Sequence, residues 1–281
     1  MTWTDRLGEF GVWRRSTDIE ETMAVEVERL GYGTIWLGGS PAADLVEAER
    51  LLDTTESIVL ATGIVNIWMS DATELAESYH RIVARHPGRL LLGIGSGHRE
   101  RQHERARPLE AMSSYLDVLD AAGVPQEDRL LSALGPRMLE LARTRSAGTH
   151  PYLTLPAQTA EARETLGNGV LVAPEQTVVL DTDPVSARKA ARAFLTPYLG
   201  LNNYTNTMKR GGFSDDDVQG SGSDDLVDRI VVHGDAATLL DGLRAHLDAG
   251  ADHVCVQGVP SDSALEVYRA VAPNRGAVTR P

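Results

Sequence analysis

The sequence predicts an α/β fold in which eight parallel strands alternate with helices and close into a (β/α)8 TIM barrel. Short apolar runs alternate with longer segments of helical periodicity along the chain, which is typical of repeated βαβ units. The chain has 281 residues, a length at which α/β barrels form one domain. Alternation alone leaves open a doubly wound sheet, and the count of eight runs favours closure. We therefore expect residues 1–281 to form a single barrel domain.

The eight predicted strands are spaced so that a helix fits between most neighbours. Several of them are apolar without alternation, as expected for strands that are covered on both faces. The predicted strands are residues 10–13, 34–38, 58–65, 89–95, 129–134, 152–155, 177–180 and 253–257.

The segments between these strands carry apolar residues at three- and four-residue spacing, which predicts helices with one buried stripe. We expect Ser16 or Thr17 to cap the first of these helices and Gly31 to end it. Pro108 and Pro136 suit the first turns of later helices.

Residues 200–230 interrupt the alternation and predict an insertion between the seventh and eighth strands. The stretch 215–228 contains six Asp, two Gly and no basic residue, a composition typical of a loop or lid. We expect the insertion to build no core element and to cover part of the barrel mouth, with Asn203 and Tyr204 facing the pocket. The alternative is a solvated loop without a role.

The charge balance excludes several classes of function. Lys and Arg number 27 against 40 Asp and Glu, which gives a net charge of −13 and disfavours binding to nucleic acid. No apolar signal core begins the chain and no stretch has the length of a membrane span, so we expect a cytoplasmic protein with no membrane partner. Cys255 lies in an apolar run and is predicted to be a small buried hydrophobe.

The loops that follow the strands are the expected place of a site, because they meet at the carboxyl end of a closed parallel barrel. Gly95 and Gly97 offer free backbone amides to an anion, and four arginines lie between residues 98 and 107. Gly135 and Pro136 open a helix whose first turn can face a phosphate. Sterically required glycines, a solvated basic face and an ordinary helix start are the alternatives.

Several short motifs, in order along the chain, carry a resemblance to a known family. They are IWLGGS at 35–40, ATGIVN at 61–66, PGR at 87–89 with LLGIG at 91–95, and AGADHV at 249–254. Together they resemble the luciferase-like, deazaflavin-dependent oxidoreductases. The motifs LGPRML at 134–139 and NNY at 202–204 resemble an actinobacterial branch of that family.

The resemblance implies a usually dimeric barrel that holds coenzyme F420, or in some branches flavin mononucleotide (FMN), in its mouth. A small-molecule substrate would stack on one ring face and exchange a hydride there. Gly63 and Ile64 would support the ring through a non-proline cis peptide, and Arg137, or else Arg99, would bind the phosphate together with the start of its helix.

The resemblance assigns the following residues to the site, with no metal ligand among them. The cofactor-binding residues are Gly38, Gly39, Gly63, Ile64, Val65, Gly95, Ser96, Gly97, His98, Ala133, Leu134, Gly135, Pro136 and Arg137. The substrate-pocket residues are Trp68, Asn203 and Tyr204, and the catalytic candidates are His98, Ser40 and Tyr204. Trp36 is a further aromatic candidate for the pocket, and packing in the core is the alternative.

The chain departs from some relatives at the positions that would transfer a proton. It has Gly39 and Ser40 where several relatives have an acidic residue and a histidine, and His98 where some have a glutamate. His98 is the remaining acid–base candidate, because its ordinary pKa lies near neutrality; a hydrogen bond to the loop or phosphate is the alternative. Competing functions are an FMN-dependent monooxygenase and a non-catalytic F420 carrier.

Overall fold

The computed structural model of the chain describes residues 2–97 and 107–273. The strands are β1 (Phe10–Arg15), β2 (Thr34–Gly38), β3 (Val59–Gly63), β4 (Val65–Asn66), β5 (Leu90–Gly95), β6 (Arg129–Leu131), β7 (Gly148–Thr149), β8 (Leu171–Val172), β9 (Glu175–Val179), β10 (Val232–His233) and β11 (Val254–Gly258). The helices are α1 (Trp3–Leu7), α2 (Glu21–Arg29), α3 (Val46–Thr54), α4 (Ala72–Arg85), α5 (Pro108–Ala121), α6 (Pro136–Arg145), α7 (Pro156–Leu166), α8 (Pro184–Leu199), α9 (Asn202–Arg210), α10 (Asp224–Ile230), α11 (Ala236–Asp248) and α12 (Ala264–Ala270).

The strands form a curled parallel sheet that confirms the predicted α/β barrel. Their spatial order is β10-β9-β11-β1-β2-β3-β5-β6-β7-β8, with β4 beside β5. Only two residues separate β8 from β9, so these two strands act as one interrupted seventh strand. The Ala173 amide donates to Thr149 on one side and the Cys255 amide donates to Pro174 on the other. The interrupted strand thereby joins the two edges of the sheet.

Side chains alternate between the barrel interior and the helix layer, as the two-residue period of a strand requires. In β2, Ile35 and Leu37 pack in the outer core, whereas Trp36 packs in the inner one. The same alternation turns Gly93 and Gly95 of β5 inward, where a missing side chain leaves room. The inner core fills the barrel below the carboxyl ends of the strands.

Two local predictions were wrong. The sixth strand is Gly148–Thr149 rather than residues 152–155, where Leu153 has a left-handed φ of 55° that a strand does not allow. The first barrel helix is α2, whose N-cap is Glu20, because Ser16 belongs to a separate 3-10 turn. Pro108 and Pro136 do lie in the first turns of α5 and α6, as predicted.

The insertion lies between the seventh and eighth strands, but it is not the coreless loop that its composition predicted. It contains α9 and α10, and α10 buries Leu226 and Ile230. On its opposite face, Asp224 and Asp228 pair with Arg188 of α8. Two of the acidic residues, Asp224 and Asp228, therefore bind a neighbouring helix, which composition alone did not reveal.

Two further observations bear on the sequence predictions. Cys255 is fully buried in the barrel interior, as predicted. Across residues 2–97 and 107–273, none of the helices combines the length and the apolar character that crossing a bilayer requires.

Candidate functional site

A cavity of about 1080 Å³ opens at the carboxyl end of the barrel. Active sites of parallel barrels lie at this end, and the volume is large for a small-molecule pocket. Residues at or after the ends of β1, β2, β3, β5, β6, β7 and β11 line it, together with one side of α8 and the start of α9.

The side chain of Ile64 forms part of the cavity floor. The peptide between Gly63 and Ile64 is cis, which confirms the prediction. Behind Ile64, a Cβ on Gly95 would stand 2.7 Å from the Ile64 side chain, and a Cβ on Gly93 would stand 1.8 Å from the Thr62 carbonyl oxygen. Position 95 therefore requires glycine if Ile64 is to keep its place, and position 93 requires glycine because of the Thr62 carbonyl oxygen. We call Ile64 with these two supporting glycines the Ile64 seat.

Trp13 and His150 lie beside Gly63 and also line the cavity. The His150 Nδ1 atom is 2.7 Å from the Ala173 carbonyl oxygen, which can only accept, so Nδ1 carries the proton and Nε2 keeps its lone pair. Burial lowers the pKa of His150 to about 4. Among the described residues, neither His150 Nε2 nor Trp13 Nε1 has a hydrogen-bond partner.

A second tryptophan–histidine pair lies deeper in the barrel. The Trp36 indole donates to His253 Nε2 at 3.0 Å, and His253 Nδ1 is 2.7 Å from the Gly8 carbonyl oxygen. Trp36 also stacks on His150, with ring centroids 4.0 Å apart. Trp36 is fully buried and does not line the cavity, so its role is core packing, the alternative given above.

Aromatic side chains form another wall of the cavity. Tyr152, Tyr198 and Tyr204 contact one another with ring centroids 5.3 to 6.0 Å apart, and Phe194 packs against Tyr198. The Tyr152 hydroxyl donates to the Gln257 side chain at 2.8 Å. This wall is apolar with a few hydroxyl groups, which suits an organic ligand better than an ion.

Glu175 is a buried acid on the inner face of β9. Its side chain accepts hydrogen bonds from the Thr177 hydroxyl and from the Leu153 amide. Burial raises the pKa of Glu175 to about 8, so the carboxyl group holds a proton at neutral pH. Glu175 does not line the cavity. Its protonation therefore acts directly on the stability of the folded chain.

Basic residues lie at the rim where β1 ends. Arg14 donates to the carbonyl oxygens of Asp18 and Ser261, which ties the first strand to the segment after β11. Arg15 also lines the cavity and packs against Gly39. These cations give one side of the mouth a positive character in an acidic protein.

The cavity brings together more than half of the predicted site residues. Those that line it are Gly39, Ser40, Gly63, Ile64, Trp68, Ser96, Gly97, Leu134, Asn203 and Tyr204. They come from the segments at or after the ends of β2, β3, β5 and β6 and from the start of α9, so the expectation that loops converge at the carboxyl end holds for four of the strands.

The remaining predicted residues stand outside the cavity lining. They are Gly38, Val65, Gly95, Ala133, Gly135, Pro136 and Arg137. Val65 and Ala133 point into the outer core, and a Cβ on Gly38 would stand 1.8 Å from the Trp13 indole. Arg137 is exposed in the first turn of α6, between the cavity residues Leu134 and Met138. His98 and Arg99 lie outside the described residues.

Several residues of the cavity were not predicted from the sequence. Arg14 and Arg15 directly follow the predicted first strand, so the rule that singled out the other loops could have found them. His150 was missed because the sixth strand was placed four residues too late. Tyr198 lies on a helix, where an aromatic residue gives no signal that separates a cavity wall from core packing.

The family comparison identifies a match over most of the chain. Residues 15–253 match the model of the luciferase-like monooxygenases. None of the curated proteins matches the chain in sequence.

Solved structures with the same fold include enzymes with two different cofactors. An F420-dependent secondary alcohol dehydrogenase, in complex with an F420–acetone adduct, aligns with a TM-score of 0.73 at 13% identity and covers 94% of this chain and 98% of its own. The F420-dependent tetrahydromethanopterin reductase of Methanopyrus kandleri gives 0.67 at 17% identity, covering 93% and 97%. A type II Baeyer-Villiger monooxygenase of Pseudomonas putida, in complex with FMN, gives 0.68 at 14% identity, covering 94% and 98%. At these identities the likeness concerns the fold.

Proposed function

Because the chain belongs to the luciferase-like monooxygenase family, we propose that it is an oxidoreductase that uses coenzyme F420. The cofactor would bind in the cavity at the carboxyl end of the barrel. A hydride would pass between its deazaflavin ring and a small organic substrate held against the aromatic wall. No metal takes part in this proposal.

The Ile64 seat is the observation that carries the proposal. Ile64 offers a stiff, β-branched apolar surface to the cavity, and the glycine at 95 leaves the space that this side chain needs. A flat ring system fits such a surface on one face and leaves its other face open to the remaining cavity. Coenzyme F420, when bound, supplies a ring carbon that accepts or gives a hydride.

The residues of the cavity would orient the ligands and exclude water. Tyr152, Tyr198 and Tyr204 provide an apolar wall against which a substrate can pack. Ser40 and Tyr204 line the cavity and would hold a hydrogen bond or a proton at the substrate. His98 stays the predicted acid–base residue.

The start of α6 would receive the phosphate. Arg137 lies in its first turn, and Arg210 of α9 donates to the Leu134 carbonyl oxygen at 2.6 Å. Two guanidinium groups therefore flank the loop that ends in Gly135. Charge-assisted hydrogen bonds of this kind are the strong ones in phosphate recognition.

The same cavity bears on the two alternative functions. An FMN-dependent monooxygenase is the second candidate, because one of the similar structures is an FMN complex. A non-catalytic carrier needs no space for a substrate, whereas this cavity combines the Ile64 seat with a separate aromatic wall. The cavity therefore favours an enzyme over a carrier.

A side-by-side titration with oxidised F420 and FMN tests the cofactor. Visible absorbance of the ligand and tryptophan fluorescence of the full chain would give both dissociation constants. We expect F420 to bind at least roughly tenfold more tightly, a difference of about 1.4 kcal/mol. Tighter binding of FMN would favour the monooxygenase, and binding of neither would contradict the proposed site.

We also propose a homodimer, in line with the resemblance. Sedimentation velocity over a range of concentrations would measure the mass of the particle. A monomer at all concentrations would remove the dimer from the proposal and leave the cavity unaffected.

A further inference from the structure

Three residues that line the cavity carry a buried polar atom with no partner in the described part of the chain, namely Trp13, Trp68 and His150. Two of these atoms, the indole nitrogen of Trp13 and the Nε2 atom of His150, lie close together. A Cβ placed on Gly63 would stand 2.9 Å from the first and 3.2 Å from the second. The two atoms therefore converge on the same small region beside Gly63.

The closed pair of Trp36 and His253 shows what the same two side chains do when they satisfy each other. There the indole N–H donates to His253 Nε2 at 3.0 Å. Both histidines hold their Nδ1 atom 2.7 Å from a backbone carbonyl oxygen, so both present an Nε2 lone pair. In the pair of Trp13 and His150, the indole N–H and the Nε2 lone pair both lack a hydrogen-bond partner among the described residues.

Buried polar groups that lack a hydrogen-bond partner are rare in folded proteins and call for an explanation. Trp13 is 6% exposed and His150 is 1% exposed, yet both side chains line the cavity. A partner for both atoms must offer an acceptor to the indole and a donor to the imidazole. Because both atoms are covered in this structure, neighbouring groups must shift to admit that partner, which must be as small as a hydroxyl group.

We infer that Trp13 Nε1 and His150 Nε2 form a subsite that binds the hydroxyl group of a neutral ligand. The hydroxyl oxygen accepts from the indole N–H, and the hydroxyl hydrogen is donated to the imidazole lone pair. An ether lacks the donor. A carboxylate offers only acceptors and meets the lone pair of Nε2, so the subsite rejects it.

The charge state of His150 agrees with this geometry. Burial lowers its pKa to about 4, which keeps the imidazole neutral and its lone pair available at physiological pH. The subsite goes beyond the proposed function, because it does not depend on which cofactor binds. It predicts the polar group that a ligand must carry.

The first test compares three probes on the wild-type chain without cofactor. The probes are cyclohexanol, methoxycyclohexane and cyclohexanecarboxylate, which share a ring and differ in the polar group. Nitrogen-15 NMR of labelled histidine and tryptophan would follow His150 Nε2 and the Trp13 indole. We expect cyclohexanol to shift both signals and to bind at least roughly fivefold more tightly than the ether, as one lost hydrogen bond implies. The carboxylate should bind more weakly still.

The second test uses variants that remove one atom of the subsite each. Trp13→Phe keeps an aromatic ring and removes the N–H. His150→Asn keeps an amide nitrogen near the position of Nδ1 and removes Nε2. Each should weaken cyclohexanol binding roughly fivefold to tenfold and reduce the preference over the ether. Trp3→Phe is the matched control, because its indole donates to Asp128 outside the cavity lining and cyclohexanol binding should be unchanged.

Several outcomes would overturn the inference. One is equal binding of cyclohexanol and its methyl ether. Another is cyclohexanol binding without a shift of either nitrogen, as expected if a buried water already pairs both atoms. A third is that none of the probes binds. If a variant fails to fold, the comparison of probes on the wild-type chain decides alone. F420 affinity is measured separately, so failure of the subsite and failure of the proposed function are distinguishable.

Discussion

Replacing Glu175 by glutamine should change how the stability of the chain depends on pH. Burial raises the pKa of Glu175 to about 8 from an ordinary value of 4.5. Between these values the folded chain keeps a proton that the unfolded chain has released, so the free energy of unfolding falls as pH rises. The slope is about 1.4 kcal/mol per pH unit. The contribution of Glu175 is fully present below pH 4.5 and is lost as pH rises through 8.

Three buried histidines act in the opposite direction at lower pH. Burial lowers the pKa of His150, His246 and His253 to about 4 each. The unfolded chain binds protons at these residues below pH 6.5 and the folded chain does not, so their contribution is present above pH 6.5 and is lost as pH falls towards 4. Above pH 6.5 the effect of Glu175 is therefore unopposed by the histidines. It amounts to roughly 2 kcal/mol between pH 6.5 and pH 8.

Urea unfolding of the wild type and of Glu175→Gln at several pH values between 5.5 and 8 would measure the effect. Glutamine has the shape of the protonated acid and cannot ionise. We therefore expect the free energy of unfolding of the variant to increase relative to that of the wild type as pH rises. Glu140→Gln is the control. Glu140 is an exposed partner of Arg143, and that arginine lowers its pKa. Above pH 6.5 the free energy of unfolding of this variant should therefore change with pH as that of the wild type does. A difference between Glu175→Gln and wild type that stays constant with pH would refute the reasoning.

Three further substitutions test the site and its support. Gly95→Ala should push Ile64 out of its seat, because the new Cβ would stand 2.7 Å from the Ile64 side chain; the F420 titration should show weaker binding. Asp120→Asn should lower the free energy of unfolding by roughly 2 kcal/mol, the range of a hydrogen bond to a charged group, since it removes the carboxylate that pairs with the fully buried Arg129. Arg137→Ala should weaken F420 binding by about 1–3 kcal/mol, the range for a hydrogen bond to a charged group.

Each of these substitutions has a matched control. Gly200→Ala adds a Cβ that would meet no atom closer than 3.7 Å, so F420 affinity should stay the same. Asp117→Asn removes an exposed partner of Arg145 and should cost little in urea unfolding. Arg143→Ala removes an exposed arginine from the far end of α6. If a control variant changes F420 affinity or the free energy of unfolding as much as its test variant does, the physical reason given for that substitution is wrong.

The parts of the fold that were predicted correctly are those with a strong local pattern. β2 has the predicted bounds, and most other strands differ by one to three residues, because apolar runs that are covered on both faces stand out from their surroundings. The sixth strand has only two residues, one of them Gly148, and offers no such run. The apolar segment 152–155 after it was the stronger pattern and was chosen wrongly.

The candidate site was predicted best where short motifs define it, which includes Trp68, Asn203 and Tyr204 as well as the glycines. Gly63, Ile64 and the glycine loop at 95–97 follow from short motifs, since backbone shape is encoded locally. The open pair of Trp13 and His150 depends on residues 137 positions apart. Whether a buried donor finds a partner is decided by tertiary packing, which a single sequence does not display.

The break between β8 and β9 makes the barrel sensitive to changes in chain length at a place outside the cavity lining. Leu171, Ala173 and Val179 face inward on both sides of the break, so the alternation continues in phase through it. Inserting or deleting one residue between the two strands would turn Val178 into the barrel and Glu175 out towards the helices. Related chains should therefore keep the number of residues at this break, or change it by two, and keep a small residue at position 173, which is fully buried.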